Sequence, residues 1–426
     1  MTGYAGTQVI PLIDHNVLEV TRAGLMMHTA DDAEYVGRYL HIDGKRYLNF
    51  GGCSYLGLEQ RPELREGAIR AIARYGTQFS HSRVYVQSPL YEQLEGNLKV
   101  MTGGCTVVAA STTLAHMAAL PVLIQAGDAV LLDLFAHASL HASIGLLRAA
   151  PVASVSLDDM ARLDSKVARL ATKHRRVWLV MDGLYSMYGD FAPFDAISEL
   201  LQKHPSLHLY VDDAHSTSWM GNHGRGRALE SLACLDRVVV ALSLNKAFSA
   251  GGAVLVFAKD MERNLVRRCG GPLMFGGPLP PPMLGAAVAS AALHLRPDFS
   301  SLQHELATRI DLVLSLAQQL DIRFASDERS PVFFIHCGPL EDMFSLGQGL
   351  RARGIYVCPA AFPAVPRGES GIRFTVSLSN TEADIRYLME NISVESEKLE
   401  ARSGESSKKR LKVSPSARGV ASGRSR

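Results

Sequence analysis

The 426-residue sequence has no closely spaced cysteine pair: Cys53, Cys105, Cys234, Cys269, Cys337 and Cys358 are scattered along it. That spacing excludes a disulfide framework and a thiolate metal centre, and it points to free thiols in a reducing compartment. No metal site is expected. A long uninterrupted apolar run is also missing. The most apolar stretch, residues 106–136, is broken by His116, Pro121, Gln125, Asp128 and Asp133, so it reads as buried strand and helix and no membrane span is expected. The opening MTGYAGTQVIPLIDHN has no charged stretch leading into an apolar one, so no secretory signal is read and a cytoplasmic location is expected. Strong charge of one sign is absent too. The net charge is +2, yet residues 401–426 hold eight basic residues (Arg402, Lys408, Lys409, Arg410, Lys412, Arg418, Arg424 and Arg426) against the single acid Glu405. The body before that tail is therefore mildly acidic, and no nucleic-acid partner is expected for it. The tail leaves open a separate reading as a phosphate-binding or membrane-surface segment, beside the plainer one of a solvated end.

What is present is a globular composition, 47% hydrophobic and 20% charged, long enough for a large domain and a smaller one. In residues 1–60, an N-terminal segment, YLHIDGKRYLNF reads as a hairpin turning at Asp43-Gly44. PELREGAIRAIARYG and SPLYEQLEGNLKVMTG read as helices closed by glycine. From Cys105, the short apolar runs CTVVAA, AVLLD, VASVSL, VWLVMD, LHLYVD, RVVVALS and AVLVF alternate with helical patterns. Runs of that kind suit a mostly parallel sheet covered on both faces. They place a large α/β domain over residues 61–295. The prolines of GGPLPPPMLGAAVASAALHL open a long helix at its end. Residues 296–397 read as a small C-terminal α+β domain: a helix from Ser301 to Leu320, SPVFFIHC, a helix around MFSLGQGLRARG, the strand GIRFTVSLS, and a last helix capped by Thr381. Residues 398–426 read as a disordered basic tail. No internal repeat is visible.

Two short segments carry the chemistry. LHLYV runs directly into Asp212-Asp213-Ala214-His215, which puts an acid and an imidazole at the carboxyl end of a strand, where open α/β sheets collect their ligands. In RVVVALSLNKAFSAGG, Lys246 follows a buried strand and precedes a glycine pair. A lysine in a partly desolvated pocket can act as an amine nucleophile on a carbonyl, although lysines in such loops are more often simply solvated. Taken together, Asp212 and Lys246 match the pyridoxal 5′-phosphate (PLP) arrangement, in which an acid pairs with the pyridinium nitrogen and a lysine holds the aldehyde.

YLGLEQRPEL, AHASLHA, DGLYSMYGDFAPF, YVDDAHSTSWMGNHGRGR, SLNKAFSAGG, GGPLPPPMLGAAVASA and PAVPRGESGIRFTVSLSNTEADI occur in order over residues 45–395, and together they resemble the α-oxoamine synthases. The resemblance implies a fold-type-I PLP-dependent transferase, aspartate aminotransferase-like, and a homodimer. It implies an enzyme that condenses a small amino acid with an acyl thioester, on coenzyme A or a carrier protein, and loses carbon dioxide. An aminotransferase or a carbon–carbon lyase is the rival chemistry. Lys246 would hold the cofactor aldehyde and shuttle a proton. Asp212 would pair with the ring nitrogen, His215 would contact the ring hydroxyl, and His137 would stack on the ring and share proton transfers with His215. Ser186 would bring a hydroxyl near the ring. Ser111, Thr112 and Thr113, at a strand-to-helix junction suited to a phosphate, and Ser243 would hold the phosphate. Arg373 would bind the amino-acid carboxylate through its planar fork.

The chain also departs from the family pattern. His116 stands where an asparagine is usual, and Thr112-Thr113 replace glycine and an aromatic. Cys53-Ser54 precede YLGL in place of an asparagine. Gly276-Gly277 replace phosphate-directed hydroxyls, and Ala360, Ala361 and Phe362 stand where an arginine occurs in the biotin-pathway members.

Overall fold

The computed structural model describes residues 9–147 and 150–403. Its strands are β1 (Tyr39–Ile42), β2 (Lys45–Asn49), β3 (Cys105–Ala109), β4 (Ala129–Asp133), β5 (Val152–Val155), β6 (Val177–Asp182), β7 (Leu207–Asp212), β8 (Val238–Ser243), β9 (Ala253–Phe257), β10 (Val332–Gly338), β11 (Ile355–Tyr356), β12 (Cys358–Ala360) and β13 (Ser370–Thr375). All seven apolar runs read as strands from the sequence form β3 to β9.

Those seven make one sheet in the order β3-β9-β8-β7-β6-β4-β5. β9 is antiparallel to both neighbours, and the remaining contacts are parallel. Because two antiparallel steps restore direction, β3, β8, β7, β6 and β4 all point the same way and deliver their carboxyl ends to one edge. Alternation along each strand feeds two cores. Val177, Leu179 and Met181 of β6, with Leu209 and Val211 of β7, pack with the helices Pro89–Thr102, Met160–Ala171, Phe194–Lys203 and Pro281–His294. Trp178 and Val180, with Tyr210, face the opposite way, onto the helices Thr112–Leu123, Ala138–Ile144 and Asp260–Cys269. The result is a helix–sheet–helix sandwich.

Chain contacts give two compact units. One comprises Leu56–Tyr185 and Phe191–Gln303, and the other gathers the residues before Leu56, Ser186–Asp190, and those from His304 onward. Sequence order cannot show this grouping. The N-terminal segment belongs with the C-terminal unit because β11 pairs with β2, Ile355 opposite Leu48, and Asn16 donates to the Phe362 carbonyl at 3.0 Å. In that unit β10, β13 and β12 form an antiparallel sheet in which Phe334, Arg373 and Cys358 share one cross-strand row. The β1–β2 hairpin turns at Asp43-Gly44 as read. Both residues have positive φ (53° and 69°), the requirement of the tight turn that matches strand twist. Thr381 and Asp384 cap the last helix reciprocally: the Thr381 hydroxyl accepts from the Asp384 N–H, and the Asp384 carboxylate accepts from the Thr381 N–H;. That helix spans Glu382–Ser403, so the expected break at residue 398 falls inside it. Residues 404–426, with most of the basic tail, lie outside the described residues.

Candidate active site

Three strands of the large sheet end in aspartate: Asp133 on β4, Asp182 on β6 and Asp212 on β7. All three carboxyl groups are buried at the edge where the parallel strands finish. Asp182 and Asp212 are register partners across β6 and β7, and two buried carboxylates so placed cannot both ionise cheaply. Burial pushes the Asp182 carboxyl well up, and the Asp212 charge adds to that. Burial also works to raise Asp212, but His116, Lys246 and His137 overcome it and hold the group well below the usual carboxylate range. Asp212 is thus the anion of the pair. Its Oδ1 accepts the Ala214 N–H at 3.1 Å, and its Oδ2 lies 2.8 Å from His116 Nε2.

Lys246 sits in the turn between β8 and β9. The Ser243 hydroxyl accepts the Asn245 N–H at 3.2 Å, the Asn245 side chain accepts the Gly252 N–H at 3.0 Å, and the Leu244 and Gly252 backbones bond across the base at 2.9 Å. Gly252 has φ +101°, and a Cβ there would lie 2.7 Å from the Ala109 carbonyl, so only glycine closes this turn. The lysine is half-buried, and its charge acts on Asp212, Asp182 and His137.

His137 follows β4 and caps the helix Ala138–Ile144. Its N–H donates to Asp182 Oδ1 at 3.0 Å, and its Nδ1 meets the Ser139 hydroxyl at 2.6 Å. The ring is exposed, yet desolvation by the surrounding protein lowers its pKa. Asp212 opposes that shift, and Lys246 and His116 reinforce it. His215 is buried just beyond Asp212, and its carbonyl accepts from Trp219 Nε1 at 2.7 Å.

At the end of β3, Ser111 caps the helix Thr112–Leu123, its hydroxyl accepting from the Leu114 N–H at 3.2 Å. The first helical bond runs from the Ala115 N–H to the Ser111 carbonyl, so the N–H groups of Thr112 and Thr113 precede the intrahelical ladder at the positive end of the helix. Thr112 is half-buried and Thr113 exposed. Ser243, buried at the end of β8, belongs to the same sheet edge. Ser186 and Arg373 lie together in the other unit, where Arg373 Nε donates to the Ser186 carbonyl at 2.7 Å and its Nη2 lies 3.7 Å from the Cys53 thiol.

The residues at the sheet edge fit PLP by donor chemistry. An ionised, buried Asp212 suits a protonated ring nitrogen, an amine belongs to the same electrostatic cluster, and hydroxyls with a helix N-terminus suit a dianion. Sequence reasoning gave no role to Asp133, Asp182, Tyr210 or His116. The first two had a signal, since AVLLD and VWLVMD end in aspartate just as LHLYVD does.

The family model described as aminotransferase class I and II matches residues 45–392. The chain belongs to that family. It is 32% identical to the 8-amino-7-oxononanoate synthase of Maricaulis maris, over 86% of this chain and 91% of that one. It is 27% identical to the serine palmitoyltransferase of Bacteriovorax stolpii, over 82% of each chain. The fold is that of the serine palmitoyltransferase of S. paucimobilis solved with a bound PLP–myriocin aldimine. The TM-score is 0.85 at 21% identity, covering 93% of this chain and 99% of that one. Within the class I and II aminotransferase family, then, the chain falls among the α-oxoamine synthases, which are PLP-dependent acyltransferases of fold type I, as its motifs indicated. Among the described residues no helix is long and apolar enough to cross a membrane, and no group of three or more potential metal ligands occurs.

Proposed function

We propose that this protein condenses a small amino acid with an acyl thioester, carried by coenzyme A or a carrier protein, to give an α-amino ketone. A carbon–carbon bond forms between the amino-acid α-carbon and the acyl carbon, the thioester C–S bond breaks to release the thiol, and the amino-acid carboxyl leaves as carbon dioxide. PLP supplies the aldehyde that takes up the amino group and the ring that accepts the electron pair freed at the α-carbon. The observation that carries the reading is the placement of the buried Asp212 at the end of β7 and of Lys246 just past the end of its parallel neighbour β8, both at the carboxyl edge of the sheet;.

Each residue then has a defined task. The Lys246 amine holds the cofactor and, once displaced, moves the α-proton at Nζ. Asp212 keeps a negative charge opposite the ring nitrogen. His215 contacts the ring hydroxyl, His137 covers a ring face, and either imidazole assists proton transfer. Ser186 contributes a hydroxyl near the ring. Ser243, Ser111, Thr112 and Thr113 hold the phosphate, and Arg373 fixes the amino-acid carboxylate. The chain works as a cytoplasmic homodimer, a reading that rests on the family resemblance and the scattered free cysteines.

The test is the visible spectrum of the protein reconstituted with PLP, with glycine, alanine and serine added in turn and then an acyl thioester. A spectral response to one amino acid, with thioester-dependent release of carbon dioxide and thiol, supports the reading. Conversion of the cofactor to its amine form without thioester consumption overturns it in favour of transamination.

A further inference from the structure

Asp212 has a neighbour that this chemistry leaves unused. His116 lies one turn into the helix Thr112–Leu123 and is 0% exposed. Its Nε2 is 2.8 Å from Asp212 Oδ2 and its Nδ1 is 2.9 Å from the Tyr210 hydroxyl, with the two rings edge to face at 5.6 Å. Tyr210 and Asp212 are two residues apart on β7 and therefore project to the same face of the strand. One strand thus holds both ends of a chain of hydrogen bonds whose middle comes from the helix.

Protonation follows from the donor inventory. Burial, and then the Asp212 charge, push the Tyr210 phenol far up, so it keeps its proton and stands as the hydroxyl partner of Nδ1. A carboxylate can only accept, so it is Nε2–H that donates to Asp212;. Asp212 therefore receives one N–H on each oxygen, from His116 and from Ala214. Its other charged or titratable surroundings include Lys246, His137, Asp182 and Asp213.

We propose that His116, its ring held in place by Tyr210, is a positioning residue for the cofactor ring nitrogen. Its Nε2–H fixes the plane of the Asp212 carboxylate and weakens that group as a base, so the proton opposite Asp212 stays on the ring nitrogen. This rests on the PLP reading above. A histidine serving only as core filler would need neither hydrogen bond. The family pattern has an asparagine at this position, and its side-chain amide is also a donor.

The experiment uses the full chain loaded with PLP labelled with ¹⁵N in the ring, in the wild-type protein and in His116→Phe, His116→Asn and Tyr210→Phe. The readouts are the ring-nitrogen chemical shift and the PLP dissociation constant. The expected result is a protonated-nitrogen shift in the wild type, movement towards the neutral-pyridine shift in His116→Phe, and PLP binding weaker by about 10- to 150-fold, the range of one charge-assisted hydrogen bond. His116→Asn restores both, and Tyr210→Phe falls between. Wild-type shift and affinity in both His116→Phe and Tyr210→Phe overturn the proposal while leaving the PLP reading intact. Absence of any bound ¹⁵N signal in the wild type overturns both. Should His116→Phe not fold, an unchanged shift in Tyr210→Phe alone is sufficient to reject the relay.

Discussion

Replacing Arg373 by lysine separates the geometry of that side chain from its charge. Arg373 is 7% exposed, and its Nε donates to the Ser186 carbonyl at 2.7 Å. That bond fixes the guanidinium plane, while the terminal nitrogens lie beside Cys53, Tyr55 and Cys358, neutral partners that an amino-acid carboxylate would displace. Lysine keeps the positive charge but presents one ammonium. Arg373→Lys therefore loses the Ser186 bond and one of the two parallel donors offered to a carboxylate. A lost charge-assisted hydrogen bond is worth about 1.5–3 kcal/mol, and about 1.4 kcal/mol is tenfold in binding. The amino-acid dissociation constant, and with it KM, should rise about 10- to 150-fold. The orphaned Ser186 carbonyl costs a further ~1–3 kcal/mol of fold stability, which thermal unfolding reads independently. The assay is spectral titration of the PLP-loaded protein with its amino acid, beside initial rates that split KM from kcat. Thioester KM should stay near wild type. If amino-acid affinity stays within about threefold of wild type while thermal stability falls, Arg373 serves the fold alone and the carboxylate assignment fails.

Three further outcomes follow from other parts of the molecule. Lys246→Ala should fold normally, since the side chain is only half-buried, but should lose PLP on gel filtration where the wild type retains it; retention of the visible band would remove Lys246 from its role. Burial pushes Asp213 up to about 7 from an ordinary 3.8, against hydrogen bonds from Ser216 and the Ala228 N–H. The folded state therefore binds a proton that the unfolded state releases, so this group's contribution to stability should fall as pH rises from about 4 to about 7, by up to ~1.4 kcal/mol per pH unit. Urea midpoints should show that slope flattened in Asp213→Asn, and an unchanged slope would refute the assignment. Gly285→Ala should destabilise the large unit by ~1–3 kcal/mol, because its Cβ would stand 2.6 Å from the Ala71 Cβ, where the helices Pro62–Tyr75 and Pro281–His294 pack backbone to backbone; a thermal midpoint equal to wild type would show that the helices can part without cost.

The strands were legible because each is a short, continuous apolar run, and the candidate site was legible wherever a candidate side chain follows one. The same rule explains Asp212 and Lys246, and it would have yielded Asp133 and Asp182 had it been applied to every run ending in aspartate, whereas His137 came only from the family resemblance. The antiparallel place of β9 was legible in principle. Only residues 244–252 separate it from β8, too few for the crossover that a parallel neighbour requires. Pairings between distant segments were not legible, because nothing in YLHIDGKRYLNF announces that Leu48 pairs with Ile355. His116 marks the sharper limit. Its departure from the family pattern was visible, but its meaning depended on Tyr210 and Asp212, which lie 94 and 96 residues away. A strand end says where an acid will stand, whereas its charge is decided by the donors that helices from elsewhere bring to it. Asp182 and Asp212 carry the same side chain at matching positions on adjacent strands and are driven in opposite directions. That difference is contained only in the packed structure.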